Sequence, residues 1–233
     1  MLEVSGLDAW YGQARILYAV SLAVGAGECV ALVGRNGAGK STTMKAIMGL
    51  LAKKSGQVTF RGRDISSLPS YRIGRLGLGW VPEDRRIFTD LTVRENLAVG
   101  RQAPREGAPT WSETQLYALF PNLGTMPDRP GGRMSGGEQQ MLTVARTLMG
   151  NPYLVLLDEP SEGVAPLLVE AMARMIVALK AAGVAILLSE QNLHFARLVA
   201  DRAVVLEKGE VRFTGTMEAL MNDDVLLRTH LSL

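Results

Sequence analysis

A glycine-rich stretch decides the fold of this chain: Gly34-Arg35-Asn36-Gly37-Ala38-Gly39-Lys40-Ser41-Thr42. It fits the pattern G-x-x-x-x-G-K-[ST], which is typical of a loop that binds phosphate groups. The apolar run Cys29-Val30-Ala31-Leu32-Val33 precedes the loop, and residues 42–51 follow it with a helix-like pattern. Strand, loop and helix in this order are the context that such a loop requires. A glycine-rich turn with a solvated lysine is the alternative, and the flanking segments disfavour it.

The residue types in this loop suit a nucleotide. Glycines let the chain bend so that successive backbone N–H groups point at phosphate oxygens, and the start of the following helix adds positive potential. We expect Lys40 to reach the β- and γ-phosphates, and the Ser41 hydroxyl to bind Mg²⁺. Residues 34–42 are therefore the predicted site for ATP and Mg²⁺.

Composition sets the broad class. The 233 residues are 47% hydrophobic, enough for a sizeable core in one large or two small domains. A net charge of +2 gives no basic field of the kind that nucleic-acid-binding proteins carry, so we expect no nucleic-acid partner. The single cysteine, Cys29, fits a reducing cytoplasm. No signal peptide and no apolar stretch of about 20 residues is evident, so we expect a soluble subunit that could still dock on a membrane complex.

Short apolar strands alternate with helical patterns on both sides of a different middle stretch. The strands include Leu78-Gly79-Trp80-Val81, Tyr153 to Leu157 and Val184 to Ser189, and helices are predicted over residues 166–182 and 193–200. This alternation predicts an α/β fold with a mostly parallel sheet covered by helices on both faces. The middle stretch, residues 84–150, contains helical patterns and is predicted to be a helical insertion in that core.

A pair of carboxylates follows one of the buried strands. Leu154-Val155-Leu156-Leu157 ends in Asp158-Glu159-Pro160. In a chain with a phosphate-binding loop, Asp158 can hold Mg²⁺ through a water, and Glu159 can polarise the water that attacks the γ-phosphorus. Adjacent residues at a strand end point in different directions, which separates the two roles. An ordinary polar loop after a strand is the alternative.

A second helix start suits an anion. The run Met134-Ser135-Gly136-Gly137-Glu138-Gln139-Gln140 opens a predicted helix that reaches about Met149. Ser135 can cap this helix, and the two glycines allow close approach of a phosphate to the backbone. Within one domain a second such start is redundant. It makes sense if it closes over the nucleotide held by a neighbouring subunit.

These motifs, in this order, resemble those of the nucleotide-binding subunits of ATP-binding cassette (ABC) transporters. The phosphate-binding loop, the run from Ser135 to Gln139 and Asp158-Glu159-Pro160 match that family's Walker A, signature and Walker B elements. The resemblance covers essentially all of the chain. It implies a phosphate-loop NTPase (RecA-like) core, over about residues 1–83 and 150–233, with an N-terminal antiparallel β subdomain. It also implies an inserted helical subdomain over residues 84–149, all within one ABC ATPase domain.

The same resemblance implies roles for individual residues. Tyr11 falls where the family stacks an aromatic ring on adenine. The signature residues Ser135, Gly136, Gly137 and Glu138 would face ATP in the partner subunit. The implied ATP-binding residues are Tyr11, Gly34, Arg35, Asn36, Gly37, Ala38, Gly39, Lys40, Ser41 and Thr42. Catalytic roles fall to Glu159 and Gln191, and metal-binding roles to Ser41, Asp158 and Glu83.

Within the family, the chain resembles the LivF-type subunit of branched-chain amino-acid importers. The supporting segments are Tyr11-Gly12, Val81 to Phe88, Leu91 to Leu97, Asp158 to Pro166 and Ser189-Glu190-Gln191-Asn192. This implies transmembrane permease subunits as partners and, through them, a periplasmic solute-binding protein. A second, related ATPase subunit is expected, with two identical subunits as the alternative, at the cytoplasmic face of the inner membrane. Residues 85–97, with Ile87, Phe88, Leu91 and Val93 beside three arginines, are predicted to dock on the permease.

Three residues depart from the general pattern of the family. Glu83 stands at the usual Q-loop glutamine, Ala165 at the D-loop aspartate, and Gln191 at the switch histidine that contacts the γ-phosphate. All three also occur in the LivF type. Because Gln191 cannot carry positive charge, we expect the site built on this chain's own loop to hydrolyse ATP more slowly than the opposite site. His194 lies nearby in a predicted helix, where a surface or core role is expected.

Other functions stay open on the sequence alone. Urea and short-amide importers use very similar subunits, and the transported solute does not touch this subunit. A soluble ABC protein acting on ribosomes or DNA would usually carry two cassettes, coiled-coil insertions or basic extensions. A protein that holds ATP without hydrolysing it is disfavoured by Glu159, although Gln191 and Glu83 leave that possibility open for one of two sites.

Overall fold

The computed structural model describes residues 1–231, which form two β-sheets with helices packed around them. The strands are β1 (Leu2–Tyr11), β2 (Ala14–Val24), β3 (Cys29–Val33), β4 (Lys53–Phe60), β5 (Arg63–Asp64), β6 (Leu78–Val81), β7 (Leu154–Asp158), β8 (Ala185–Glu190), β9 (Arg202–Glu207) and β10 (Glu210–Thr216). The helices are α1 (Lys40–Ile47), α2 (Ser70–Arg75), α3 (Val93–Gly100), α4 (Glu113–Leu119), α5 (Pro121–Gly124), α6 (Gly136–Leu148), α7 (Pro166–Ala181), α8 (Leu193–Val199), α9 (Met217–Met221) and α10 (Asp224–Leu226). A short 3₁₀ turn (Gly131–Arg133) and a terminal π turn (Leu227–Leu231) complete the description.

The larger sheet has six strands in the order β10-β9-β3-β8-β7-β6. All neighbours in it are parallel except β9 and β10, which form an antiparallel hairpin. Every residue of β3, β7 and β8 is buried, as is typical of parallel strands covered on both faces. The carboxyl ends of β3, β7 and β8 lie side by side, with Val33 paired to Glu190 and Asp158 paired to Ser189.

The core lies on both faces of this sheet. Leu154 and Leu156 of β7 join a cluster with Met44 and Ile47 of α1 and with the second sheet. The alternate residues of β7 face a different cluster, which is built mainly on α6 and α7. Helix α1 is therefore held between the two sheets, which fixes the direction in which its first turn points.

The second sheet is antiparallel, with the order β2-β1-β4-β5. In the sequence, only Leu2-Glu3-Val4 and Leu22-Ala23-Val24 alternate like half-buried strands, so most of β1 and β2 was not predicted. The cause is a break of register between Val4 and Leu7, where Gly6 has a φ of 57°. After this bulge β1 continues to Tyr11, so the turn that the sequence predicts over Trp10-Tyr11-Gly12 begins only at Gly12.

Helix α1 is shorter than predicted, ending at Ile47 rather than near residue 51. Gly49 has a φ of 67°, a left-handed conformation that ends helices and favours glycine. A Cβ atom at this position would lie 2.5 Å from the Leu68 carbonyl oxygen, so glycine is also required for space. The other long helices agree with prediction, with α7 ending one residue earlier than expected.

The middle stretch carries α3 to α6. Helix α3 begins only at Val93, where Thr92 and Glu95 form a capping box, so residues 85–92 of the predicted docking segment are not helical. Val93 itself is fully buried, which corrects its assignment to an exposed docking surface. Phe88 is 48% exposed, as a docking residue requires. Within residues 1–231, no helix is both long and apolar enough to cross a membrane.

Candidate nucleotide-binding site

The phosphate-binding loop connects the end of β3 to the start of α1. Gly39 has a φ of 110°, which only glycine adopts without strain, and no side chain caps α1. Gly34 runs so close to β9 that a Cβ would lie 2.3 Å from the Leu206 carbonyl oxygen. The first N–H groups of α1 are therefore free of side-chain acceptors, and the positive end of the helix dipole faces the loop. This geometry suits a bound phosphate.

Lys40 is buried beneath the loop rather than extended into solvent. Its ammonium group donates hydrogen bonds to the carbonyl oxygens of Gly34 (2.8 Å) and Arg35 (3.2 Å). It also forms an ion pair with Glu159 at 3.0 Å, in which both side chains are nearly inaccessible. The sequence predicted separate tasks for Lys40 and Glu159 and did not show that they touch. Buried ion pairs of this kind resist separation unless another charge replaces one partner.

Asp158 and Ser41, the two predicted magnesium ligands, are in contact. The Ser41 hydroxyl donates a 3.0 Å hydrogen bond to Asp158, across 117 positions of sequence. The Ser189 hydroxyl donates a second bond to the same oxygen at 2.7 Å. Burial raises the pKa of Asp158, while the two hydroxyl bonds oppose that rise. Ser189 was not among the predicted site residues; the only signal was a polar pair, Ser189-Glu190, ending an apolar strand.

Glu159 occupies a strained position beside a second carboxylate. Its φ is 46°, uncommon for a residue with a side chain, and its N–H donates to the Ser189 carbonyl oxygen at 3.0 Å. A hydrogen bond with Glu159, followed by burial and by the charges of Glu159 and Glu83, raises the pKa of Glu162 to about 7. No motif of the sequence indicates a role for Glu162. The turn after β7 brings Glu162 close to Glu159, and this turn geometry was not predictable from the sequence.

Two further predicted residues border the site. Tyr11 is 48% exposed and lines a cavity of about 270 Å³ together with Lys40, Ser41 and Glu159. Glu83, exposed just after β6, lines a smaller cavity of about 150 Å³ with Lys45 and Asp158. Residues 1–231 contain no group of three or more acidic, histidine or cysteine side chains that could hold a metal alone. Ser41, Asp158 and Glu83 offer oxygen atoms, the ligand type that Mg²⁺ prefers in proteins, and their predicted metal-binding roles stay predictions.

The signature residues form a capped helix start. The Ser135 hydroxyl accepts a bond from the N–H of Glu138 (3.4 Å), and the Glu138 carboxylate accepts one from the N–H of Ser135 (2.7 Å). A Cβ at Gly136 would lie 2.8 Å from the Arg85 guanidinium, which is the movable end of a flexible side chain. The two cavities beside the phosphate-binding loop include no signature residue. Glu138 thus has a structural role, and its predicted contact with ATP stays a prediction.

The remaining predicted residues follow β8 and the turn after β7. Gln191 is exposed directly after β8, and Glu190 before it is 2% exposed. Ala165 occupies the position before α7 and offers no side-chain cap. His194 is exposed on α8, one of the two placements that were predicted for it. The structure therefore places Gln191 at the same sheet edge as Lys40 and Asp158.

Known proteins carry the same features. The sequence profile of the ABC transporter family matches residues 17–162. The chain belongs to the ABC transporter family. It is 41% identical over 223 residues to the high-affinity branched-chain amino acid transport ATP-binding protein BraG of Pseudomonas aeruginosa, covering 96% of each chain. It is 36% identical to the probable branched-chain amino acid transport ATP-binding protein LivF of Archaeoglobus fulgidus, covering 96% of this chain and 95% of the relative.

Other relatives of this ABC protein act in export. The lipopolysaccharide export system ATP-binding protein LptB of Haemophilus influenzae is 34% identical, with 99% of this chain and 97% of the relative covered. A crystal structure of a nucleotide-free ATP-binding cassette from an ABC transporter superposes with a TM-score of 0.83 at 26% identity, covering 97% of both chains. These findings confirm the predicted ABC ATPase fold. The protein is an ATP-binding, ATP-hydrolysing subunit of the kind that pairs with transmembrane permeases.

Proposed function

We propose that this ABC ATPase drives the import of branched-chain amino acids. The observation that carries an ATP-driven role is the convergence of Ser41, Asp158, Lys40 and Glu159 at one sheet edge. The printed functions of BraG and LivF support the solute class. The test is ATPase activity of the assembled transporter in vesicles. Leucine with its binding protein should stimulate hydrolysis, and urea should not.

Lipopolysaccharide export is a second candidate, because LptB relatives align over nearly the whole chain. If export is the function, ATPase activity in the same assay should depend on an export permease and should not change when leucine and its binding protein are added. Association of the subunit with an amino-acid permease in pull-downs from membranes would decide between the two.

The roles of the site residues follow from their positions. Magnesium, when bound, would neutralise charge on the β- and γ-phosphates. Ser41, Asp158 and Glu83 would hold the ion, and the contact between the Ser41 hydroxyl and Asp158 fits an all-oxygen site. Lys40 would exchange Glu159 for a phosphate oxygen. Glu159, released from this ion pair, would then orient the attacking water, because it is next to Asp158 in the chain and lines the same cavity as Lys40.

The signature helix would serve a second ATPase subunit. Ser135, Gly136 and Gly137 of this chain would face ATP on the partner's Walker A loop, and the partner's signature would cover this chain's loop. A related but different subunit is the expected partner, and a second copy is the alternative. Cysteines placed at Ser135 and in the partner's Walker A loop should crosslink only with ATP present. Failure to crosslink in the ATP-loaded transporter contradicts the composite site.

A groove near the predicted docking segment suits a permease. It has a volume of about 510 Å³ and an exposed aromatic and aliphatic border of Tyr71, Phe88 and Val99. Arg146 stacks 5.1 Å from the Phe88 ring and donates to the Arg86 carbonyl oxygen. Arg86→Glu combined with Phe88→Asp should release the subunit from membranes while ATP binding persists. Loss of ATP binding as well would make these residues part of the core.

The placement of the subunit follows from that docking. We expect it on the cytoplasmic face of the inner membrane, attached through the permease, with a periplasmic solute-binding protein acting from the other side.

We also propose that residues 84–149 form a helical subdomain that changes its orientation relative to the rest of the chain. Limited proteolysis with and without ATP would test it, since cleavage near residues 84 and 149 should change when ATP binds.

A further inference from the structure

One buried carboxylate lies beside the proposed catalytic residues without a role in nucleotide binding. Glu190 is the last residue of β8 and is 2% exposed. It directly precedes Gln191, and its neighbour Ser189 already contacts Asp158. Placing a carboxylate in a protein interior is unfavourable unless hydrogen bonds compensate for lost water. The contacts that Glu190 makes therefore indicate what it does.

The two oxygens of Glu190 connect two different loops. One accepts a hydrogen bond from the backbone N–H of Ser161, at 3.1 Å, in the turn that follows Glu159. The other accepts from the backbone N–H of Asn192, at 3.3 Å, in the segment that carries Gln191. Asn192 in turn caps α8, because its side chain accepts from the N–H of Phe195 at 3.1 Å. A single carboxylate thus joins the turn after β7 to the start of α8.

The turn that Glu190 holds carries strain. Glu159 has a φ of 46°, and such conformations persist only where surrounding contacts impose them. The Ser189 carbonyl oxygen accepts the N–H of Glu159 on one side of the strained residue. Glu190 holds Ser161 on the other side. The last two residues of β8 therefore secure the turn before and after its strained position.

We propose that Glu190 is a positioning residue that sets Gln191 at a fixed place relative to Glu159. This rests on the proposed roles of those two residues. The chemistry requires a carboxylate, because both oxygens must accept. A carboxamide has one acceptor oxygen and one N–H₂ donor. Glu190→Gln keeps the volume of the side chain but opposes a donor to the N–H of Ser161 or Asn192, which releases one of the two loops.

The test compares Glu190→Gln with Glu28→Gln in the assembled transporter. Glu28 is a matched control: it also accepts a backbone N–H, from Gly25 at 2.6 Å, but it lies before β3, at the opposite end of the sheet from the site. We expect Glu190→Gln to lower kcat about tenfold, since small displacements of catalytic groups have large effects, with little change in KM for ATP. Glu28→Gln should leave kcat near the wild-type value.

A double-mutant cycle separates positioning from general damage. If Glu190 acts through Gln191, then Gln191→Ala should cost less in the Glu190→Gln background than in the wild type. Glu190→Asp, which keeps both acceptor oxygens, should retain more activity than Glu190→Gln. Independent, fully multiplying losses, or a kcat for Glu190→Gln equal to that of Glu28→Gln, would overturn the proposal. A wild-type transporter without ATPase activity would instead contradict the function proposed above.

Discussion

Two helices of this chain begin with glycine-rich sequences, and the two starts differ chemically. At α1, Gly39 offers no side-chain cap, and the buried ammonium of Lys40 donates to the loop carbonyl of Gly34. At α6, Ser135 and Glu138 close a capping box on each other. The first N–H groups of α1 still lack a side-chain acceptor, whereas α6 already holds a carboxylate of its own. Glycine content alone does not distinguish the two.

The difference fits a division of labour. An anion at α1 meets backbone donors, a helix dipole and a cation, which together favour a phosphate strongly. At α6, a phosphate must compete with the Glu138 carboxylate, so affinity there is weak unless another subunit already holds the nucleotide. The α1 start is thus suited to binding, and the α6 start to sensing ATP bound by a partner. Four experiments test this contrast, from the largest expected effect to the smallest.

The largest effect is expected at Glu159, which forms the ion pair with Lys40 at the α1 start. Glu159→Gln should lower kcat about a hundredfold, the scale of a lost general base. Affinity for ATP should stay equal or rise, because Lys40 loses a competing partner. Single-turnover hydrolysis and equilibrium binding measure the two effects. Glu162→Gln is the control from the same turn and should cost far less; equal losses would move the catalytic role away from Glu159.

Lys40→Ala should weaken ATP binding by at least about 2 kcal/mol, the scale of a lost charge-assisted hydrogen bond. Calorimetry measures it directly. Lys54→Ala is the matched control, since Lys54 also donates to a backbone carbonyl, that of Ala46 at 2.9 Å, but lies outside the loop. Unchanged affinity in the Lys40 variant would mean that α1 does not receive the phosphates.

Ser135→Ala should separate capping from function at α6. Losing this cap should lower the free energy of unfolding by about 1 kcal/mol. Thr92→Ala removes the equivalent cap of α3 and should cost about the same. Only Ser135→Ala should also reduce ATPase activity in the assembled transporter. If both variants lower activity equally, the signature start is merely a stable helix end.

Most of the helices and strands that build the site were predictable from the sequence, because each depends on the pattern of neighbouring residues. The phosphate-binding loop, the buried strands and the Ser135 cap each depend on a few adjacent residues. Long apolar runs gave β7 and β8 to within a residue. Failures arose where the local pattern was interrupted. The bulge at Gly6 interrupts the apolar alternation of β1, so most of this strand was not predicted. The left-handed conformation of Gly49 ends α1 earlier than the sequence pattern indicates.

The contacts inside the site were less predictable, because they join residues far apart in sequence. Ser41 and Asp158 were assigned to one metal, yet the Ser189 hydroxyl that completes their contact was missed. The pairing of Lys40 with Glu159 was also missed, since each had a separate task in the expected mechanism. Sequence motifs name the groups that meet at a site. The contacts those groups make with one another depend on strand order and register.

The smallest effect concerns Glu162, which adds a carboxylate near Lys40 and the α1 start. Its pKa of about 7 in the folded protein lies above its ordinary value of 4.5, chiefly because of the hydrogen bond with Glu159. The folded state therefore binds this proton more tightly than the unfolded state. Its contribution to stability is complete below about pH 4.5 and is lost as pH rises to about 7. Because Glu162 is exposed, solvent screens the effect and keeps it small.

Urea unfolding of the wild type and of Glu162→Gln at about pH 5 and about pH 8 measures this contribution. Burial raises the pKa of Asp158 and of Glu190 as well, so both proteins should lose stability as pH rises. The variant should lose less, and the difference between the two proteins isolates Glu162. Glu170→Gln is the charge-matched control, because Glu170 pairs with Arg174 at 3.7 Å rather than with another carboxylate. If the variant and the wild type lose the same stability, Glu162 does not share a proton with Glu159, and the negative charge opposing Lys40 comes from Glu159 alone.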